Sequence, residues 1–288
     1  MRRTVAAPIL LAVLAVAGSW EESEAQPCTR PCVGPARGAI VAAGGGSLGP
    51  EIYQHFVDLA GGADARIVII PTAGAQEGSH DAWAAIEELK KVGVERFEIL
   101  HTRSRGVADL DAFVAPLADA TGVWISGGRQ WRLMDVYLHT RTHGELDALL
   151  ARGGVIGGNS AGASVLASFL IRGAVEDNQT VMAAGRDEGF GFLRGVAIDQ
   201  HVLARGREND LLDVVDVRPE LLGLGLDEGT AIIVTGDIAE VVGESVVAIY
   251  DVTDPLHLIP LRWLQPGDVY DLGARRVLLN ASGPRPGG

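Results

Sequence analysis

The sequence predicts an α/β fold, a three-layer α/β/α sandwich on a mostly parallel sheet with an antiparallel C-terminal β extension. Three observations carry this reading. From Ala36 onward, short apolar runs rich in Val and Ile alternate with amphipathic stretches, the pattern of repeated β-α units. Glycine turns follow several of the runs, at Gly44-Gly45-Gly46, Gly127-Gly128 and Gly157-Gly158. Past residue 229 the texture changes to strand pairs: Ala231-Ile-Ile-Val-Thr and Ile238-Ala-Glu-Val-Val face each other across Gly236-Asp237, a hairpin signal.

In chain order, strands are expected near 38–43, 66–70, 96–100, 122–126 and 154–157. Helices are expected at 50–60 behind Pro50, then at 80–92, 109–119, 129–137, and at 160–170 behind the small residues 160–163. The extension continues with a strand from Val246 to Tyr250 and closes the sheet. There is no internal repeat or long linker, and the one low-complexity segment is the Gly/Pro tail at 283–288, so residues 26–288 are expected to form a single domain.

Composition narrows the partners. With 47% hydrophobic, 21% charged and 5% aromatic residues in 288, the chain is globular with an aliphatic core. A formal net charge of -13, without a basic run able to track a phosphate backbone, argues against nucleic acid and anionic membranes. Small molecules or peptides remain.

Arg2 and Arg3 precede an apolar run from Val5 to Ala17, and Ala15-Val16-Ala17 or Ser23-Glu24-Ala25 offers the small-x-small pattern of signal cleavage. The run falls short of the roughly 20 apolar residues that a membrane span needs. Residues 1–25 therefore read as a cleaved signal peptide, cut near Ala17 or Ala25, which predicts a secreted or periplasmic protein without a stable membrane anchor. The only cysteines, Cys28 and Cys32, then favour a disulfide closing a small N-terminal loop.

The strongest local motif is Val155-Ile-Gly-Gly-Asn-Ser160-Ala-Gly-Ala-Ser164, a strand entering a small-residue turn that opens a helix. Gly158-x-Ser160-x-Gly162 has the spacing of a nucleophile elbow, in which flanking glycines tolerate a crowded turn that lifts the hydroxyl above the sheet. The plainer reading makes Ser160 only a helix N-cap. Ala161 N–H would face developing negative charge at such an elbow. A serine needs a base, and of the seven histidines His201 stands apart, in Asp199-Gln200-His201 followed by Arg205-Gly-Arg207. His55, His80, His101 and His257 have no companion motif, while His139 and His143, spaced i, i+4, lack the neighbouring glutamate of a metalloprotease helix. Asp227-Glu228 interrupts apolar sequence at the end of an expected strand, and spacing alone does not say whether either acid orients His201 or merely opens a turn. Gly44-Gly-Gly-Ser-Leu-Gly49 matches a dinucleotide fingerprint, but the second strand ends in Pro71-Thr72 without the acid that a ribose would require. No metal and no cofactor are expected. Gly127-Gly128 can add an oxyanion donor, with Gln130 beside it, and Ser126 lacks the flanking elbow of Ser160.

Taken in order, Gly-Gly-x-Gln at 127–130, Gly-x-Ser-Ala-Gly at 158–162, Asp-Gln-His at 199–201 with Arg-Gly-Arg after it, and Gly-x-Gly-x-Asp-Glu-x-Thr-Ala at 223–231 resemble the serine peptidase family of cyanophycinase and aspartyl dipeptidase (peptidase E). The similarity extends from about residue 38 to the Gly267-Asp268 region. It implies a flavodoxin-like sheet of the class I glutamine amidotransferase type, with serine replacing cysteine. It also implies a peptide or β-aspartyl isopeptide substrate, cleaved through an acyl-enzyme. Residue by residue, the resemblance puts the nucleophile on Ser160, the base on His201, the orienting acid on Glu228, and the oxyanion hole on Gly128 and Ala161. Gln130, Asp199, Gln200, Arg205 and Arg207 fall on substrate-pocket positions. Two departures stand out: Asn159 precedes the serine where the family usually has threonine, and Asp210 replaces a third arginine, reversing a charge near the aspartyl-recognition site. The export signal and longer β extension lean toward the extracellular cyanophycinase-like branch over a dipeptidase. A homodimer is the assembly to test, and a non-catalytic binding protein on the same fold is the rival reading.

Overall fold

The computed structural model describes residues 32–75, 80–253 and 260–281. The expected signal segment, Cys28, His257 and the C-terminal tail lie outside these residues. Cys32 is buried and disulfide-bonded. Among the described residues no helix is long and apolar enough to cross a membrane.

The five expected parallel strands are present as β1 (Ala39–Ala43), β2 (Ile67–Ile70), β3 (Phe97–Ile99), β4 (Gly122–Ile125) and β5 (Val155–Asn159), lying side by side in the order β1-β5-β4-β2-β3. Alternate residues serve opposite faces. Ile40, Ala42, Val68 and Ile70 join one apolar cluster, whereas Val41, Ala43, Ile67 and Ile69 join another, so these strands read as continuous apolar runs because both faces are covered. Helices α1 (Pro50–Leu59) and α2 (His80–Lys91) cover the second face, where Tyr53 and Phe56 each place a ring 5.1 Å from that of Trp124. The other face is covered by α4 (Asp111–Asp119), α5 (Gln130–Tyr137) and α6 (Arg141–Ala151), with the short α3 (Arg105–Ala108) ahead of them.

The helices differ from expectation in two places. The helix expected over 160–170 ends early, as α7 (Ala161–Ser164), and Ala167–Phe169 becomes strand β6. Its residues from Val165 to Leu170 lack the polar face a surface helix needs, and Ser168 Oγ instead accepts a hydrogen bond from Gly195 N at 2.9 Å in the neighbouring strand. Helix α6 was hidden by Thr142, His143 and Gly144, weak helix formers in its first turns, although Leu146, Leu149 and Leu150 keep the helical spacing.

The C-terminal extension divides between two sheets. β9 (Thr230–Thr235) and β10 (Ile238–Gly243) form the expected hairpin, with β9 antiparallel to β1, and β13 (Val269–Asp271) and β14 (Arg276–Leu279) continue the main sheet outward. The strand expected from Val246 to Tyr250 does not close this sheet. It is β11 (Val247–Tyr250), in a second sheet ordered β12-β11-β8-β7-β6 with β7 (Leu193–Gln200), β8 (Leu222–Leu226) and β12 (Leu261–Leu264). Helix α8 (Asp210–Val217) joins β7 to β8. One apolar cluster runs from Ile40 and Ile156 through Leu193, Val196, Leu224 and Val247, so the two sheets share a core. This shared core brings the ends of β7 and β8 to the carboxyl ends of β1, β4 and β5, where an open α/β sheet places its ligands.

Candidate active site

Ser160 follows β5 with φ 54° and ψ -118°, a conformation rare for a side-chain-bearing residue. Its N–H donates to Ala43 O at 2.9 Å, which fixes the turn against the end of β1. The flanking glycines are sterically required: a Cβ at Gly158 would lie 2.5 Å from Gly162 O, and one at Gly162 would lie 2.0 Å from Ile125 O. The elbow geometry is therefore present, and Ser160 does not cap α7 through its side chain.

His201, at the turn after β7, has φ 57° and is 4% exposed. Its Nε2 stands 2.8 Å from Ser160 Oγ, and its Nδ1 stands 2.5 Å from Glu228 Oε1. A carboxylate only accepts, so the Glu228 contact puts the proton on Nδ1 and leaves Nε2 to accept from the serine hydroxyl. Burial holds the His201 pKa below its ordinary 6.5, and Arg205 pushes the same way, against the opposing pull of Glu228. A neutral imidazole, ready to take a proton, is the result.

Asp227 has a different task from its neighbour. Its Oδ1 accepts the N–H groups of Leu203 and Ala204, each at 3.0 Å, and its Oδ2 accepts Ser245 Oγ at 2.7 Å. It ties down the turn that carries His201 while Glu228 holds the ring. The glycine run after β1 packs on the same pair: a Cβ at Gly45 would lie 2.4 Å from His201 Cε1, and one at Gly46 would lie 2.6 Å from Glu228 Oε2. This run lets backbone reach the imidazole and the carboxylate.

On the nucleophile side, a Cβ at Gly127 would lie 3.1 Å from Ser160 Cβ, and neither Gly128 N–H nor Ala161 N–H has a hydrogen-bond acceptor among the described residues. Gln130 is buried with Nε2 unpartnered, as is Ser126 Oγ. Unpaired buried donors can meet a carbonyl or a carboxylate.

The remaining candidates separate. Arg205 is exposed beside His201. Arg207 is buried and donates to Gln200 Oε1 at 2.7 Å and Gln200 O at 3.1 Å. Asp199, fully buried, has both carboxylate oxygens in the fork of Arg172, at 3.0 and 2.9 Å. Asp210 pairs with that same Arg172, and its charge also reaches Arg207. His139 pairs with Glu188 at 3.0 Å and His143 Nε2 lies 3.0 Å from Phe190 O; no group of three metal-ligating side chains exists among the described residues. Sequence reasoning missed Arg172, whose signal was an arginine inside the apolar run Leu170-Ile171.

An elbow serine, a buried neutral imidazole and a carboxylate at the carboxyl edge of an α/β sheet define the class of serine hydrolases. The chain belongs to peptidase family S51, whose family model matches residues 40–242. It is 31% identical over 264 residues to a cyanophycinase of Synechococcus elongatus, covering 84% of this chain and 81% of that one. A cyanophycinase of Nostoc sp. (strain PCC 7120 / SAG 25.82 / UTEX 2576) is 32% identical over 249 residues, covering 80% and 83%. In fold, the chain is similar to a peptidase from an acI-B1 Actinobacterium, with TM-score 0.63, 23% identity, and coverage of 82% of this chain and 97% of that one. A peptidase E-like protein from Listeria monocytogenes EGD-e matches with TM-score 0.54 and 15% identity, covering 72% and 99%.

Proposed function

We propose that this serine peptidase is exported and hydrolyses peptide or β-aspartyl isopeptide bonds beside an acidic residue, as a cyanophycinase-like enzyme. The observation that carries the reading is the continuous chain Ser160 Oγ, His201, Glu228 beside the exposed guanidinium of Arg205. In this mechanism His201 Nε2 takes the serine proton as Oγ attacks the scissile carbonyl, Glu228 stabilises the imidazolium, and the N–H groups of Ala161 and Gly128 hold the oxyanion. The leaving amine takes the proton from His201, and water, deprotonated by the same imidazole, releases the acyl group from Ser160. Arg205 holds the substrate carboxylate through charge-assisted hydrogen bonds. Buried Arg207, fixed on Gln200, braces the pocket.

Export is supported by Arg2-Arg3, the apolar run and the small-x-small sites. A panel of Asp-X and β-Asp-X dipeptides beside cyanophycin, with products identified, tests the substrate reading. Cleavage of β-aspartyl members and cyanophycin supports it. Cleavage confined to α-linked Asp-X dipeptides would move the enzyme to aspartyl dipeptidase chemistry, and turnover indifferent to the acidic residue would remove Arg205 from recognition.

A further inference from the structure

Residues 170–192 connect β6 to β7 without helix or strand, apart from a single bridge between Glu188 and Phe169. Connections this long inside a compact domain are commonly functional. This one is tied at several points. Arg186 pairs with Asp135 of α5 at 2.8 Å and Glu188 pairs with His139, but the ties nearest the catalytic residues come from two other arginines.

Arg129 stands between Gly128 and Gln130, and its Nη2 lies 2.9, 3.2 and 2.5 Å from the carbonyl oxygens of Ala174, Val175 and Asp177. Arg172, with φ 57° and 1% exposure, grips Asp199 two residues before His201 and points Nη1 at the carbonyls of Asn178 and Gln179, at 2.8 and 3.4 Å. The segment between them is folded on itself, since Asp177 Oδ1 accepts the N–H groups of Gln179 and Thr180 at 2.7 and 2.8 Å. One guanidinium thus anchors the loop to the turn that carries Gly128, and the other anchors it to the strand that carries the imidazole. Both grips use backbone oxygens, which leaves the side chains of Val175, Glu176, Gln179 and Thr180 exposed.

We propose that residues 174–180 are the substrate-discriminating wall of the cleft, and that Arg129 and Arg172 are the positioning residues that set it; this rests on the serine peptidase reading of the site. Arg129 meets its three carbonyls through Nη2 alone, so an ammonium can replace it in part, whereas Arg172 spreads its contacts over Nε, Nη1 and Nη2. Nothing that holds Ser160, His201 or Glu228 passes through Arg129. Its loss loosens the wall and leaves the reacting atoms in place. Arg172 is the poorer variant to test, because its removal strands the buried charge of Asp199 and endangers folding.

The test compares Arg129→Gln and Arg129→Lys with the wild type on the dipeptide panel and on two fluorophosphonates, one small and one with a dipeptide-sized arm. In Arg129→Gln the small probe, which reads only the attack of Ser160 Oγ on phosphorus with loss of fluoride, is expected to react within about twofold of the wild-type rate. For the best peptide kcat/KM falls about tenfold, mainly through KM, and the preference over the second-best peptide shrinks by a similar factor. Arg129→Lys recovers part of both, and the amides of Gln179 and Thr180 exchange faster in Arg129→Gln. Equal losses with the small probe and the peptides would overturn the proposal, as would unchanged KM and preference. If the wild type reacts with the small probe but cleaves no panel peptide, the aspartyl reading fails, and the ratio of the two probe rates still decides the wall.

Discussion

The two halves of the catalytic apparatus are built by different forces. Ser160 and the proposed oxyanion donors, Ala161 and Gly128, sit at the ends of β5 and β4, where steric exclusion does the positioning: Gly158 and Gly162 admit no side chain, and the serine is held at positive φ. His201 and Glu228 sit after β7 and β8 in the second sheet, where hydrogen bonds and charge do it: Glu228 on the ring, Asp227 on the turn, Arg172 on Asp199 behind. A sterically set half tolerates almost no substitution but responds little to pH or salt. An electrostatically set half is graded, and its members differ in weight.

The largest effect belongs to the steric half. Ser160→Ala should remove about 10⁴- to 10⁶-fold of kcat with the fold intact, leaving what binding and the oxyanion hole supply. Turnover of the best peptide, measured beside circular dichroism, checks this. Near-normal activity in a folded Ser160→Ala protein would break the assignment of the nucleophile.

Grading within the other half comes next. Glu228→Gln keeps an acceptor near Nδ1 but loses the charge that stabilises the imidazolium, and about a 10²- to 10⁴-fold loss in kcat is expected. Asp227→Ala unties the turn without touching the ring and should cost about 10- to 100-fold, with Asp227→Asn, which retains Oδ1, costing less. A larger loss from Asp227→Ala than from Glu228→Gln would reverse the roles of the two acids. Where the halves meet, Gly45→Ala drives a methyl toward the His201 ring, and a loss of about tenfold in kcat with a stable fold is expected. Unchanged kcat in that variant would show that the imidazole can yield without cost.

The same contrast explains what was legible in the sequence. The parallel strands were, because Ile67–Ile70 and its neighbours are buried on both faces and spell continuous apolar runs. So was the elbow, a device encoded within five residues. The second sheet was legible only in part: strands before Asp227 and over 246–250 were expected, but nothing in the sequence separates them from the main sheet, and β6 follows α7 so closely that the two read as one helix. In the site, His201 was marked by the polar residues around it, but the choice between Asp227 and Glu228 depends on which carboxylate faces across the turn, and spacing does not encode that. Asp199, Gln200 and Arg207 stood out for a sound reason, buried polar groups needing partners, yet much of their pairing is with one another and with Arg172. Asp210 takes Arg172, which arrives from another loop, as its hydrogen-bonding partner, while its charge still acts on Arg207.

The smallest expected effect isolates the electrostatic half. Because burial and then Arg205 hold the His201 pKa below 6.5, the neutral, competent imidazole persists on the acid side of that value, and acylation should decline only as pH falls through the lowered pKa. Arg205→Met removes the larger of the two cationic influences and leaves burial and the smaller push of Arg207, so the acid limb should move upward while the plateau above it stays in place. Arg205→Lys keeps the charge and should leave the limb near its wild-type position. The small fluorophosphonate is the right reporter, since it carries no carboxylate and is blind to lost substrate binding. Added salt supplies an independent control: Arg205 is exposed, so its field is screened, and high ionic strength should carry the wild-type limb upward while leaving Arg205→Met almost unmoved. A limb that stays put in Arg205→Met at low salt would mean that burial, Arg207 and Glu228 set the imidazole without Arg205, which would then matter to the substrate and not to the base.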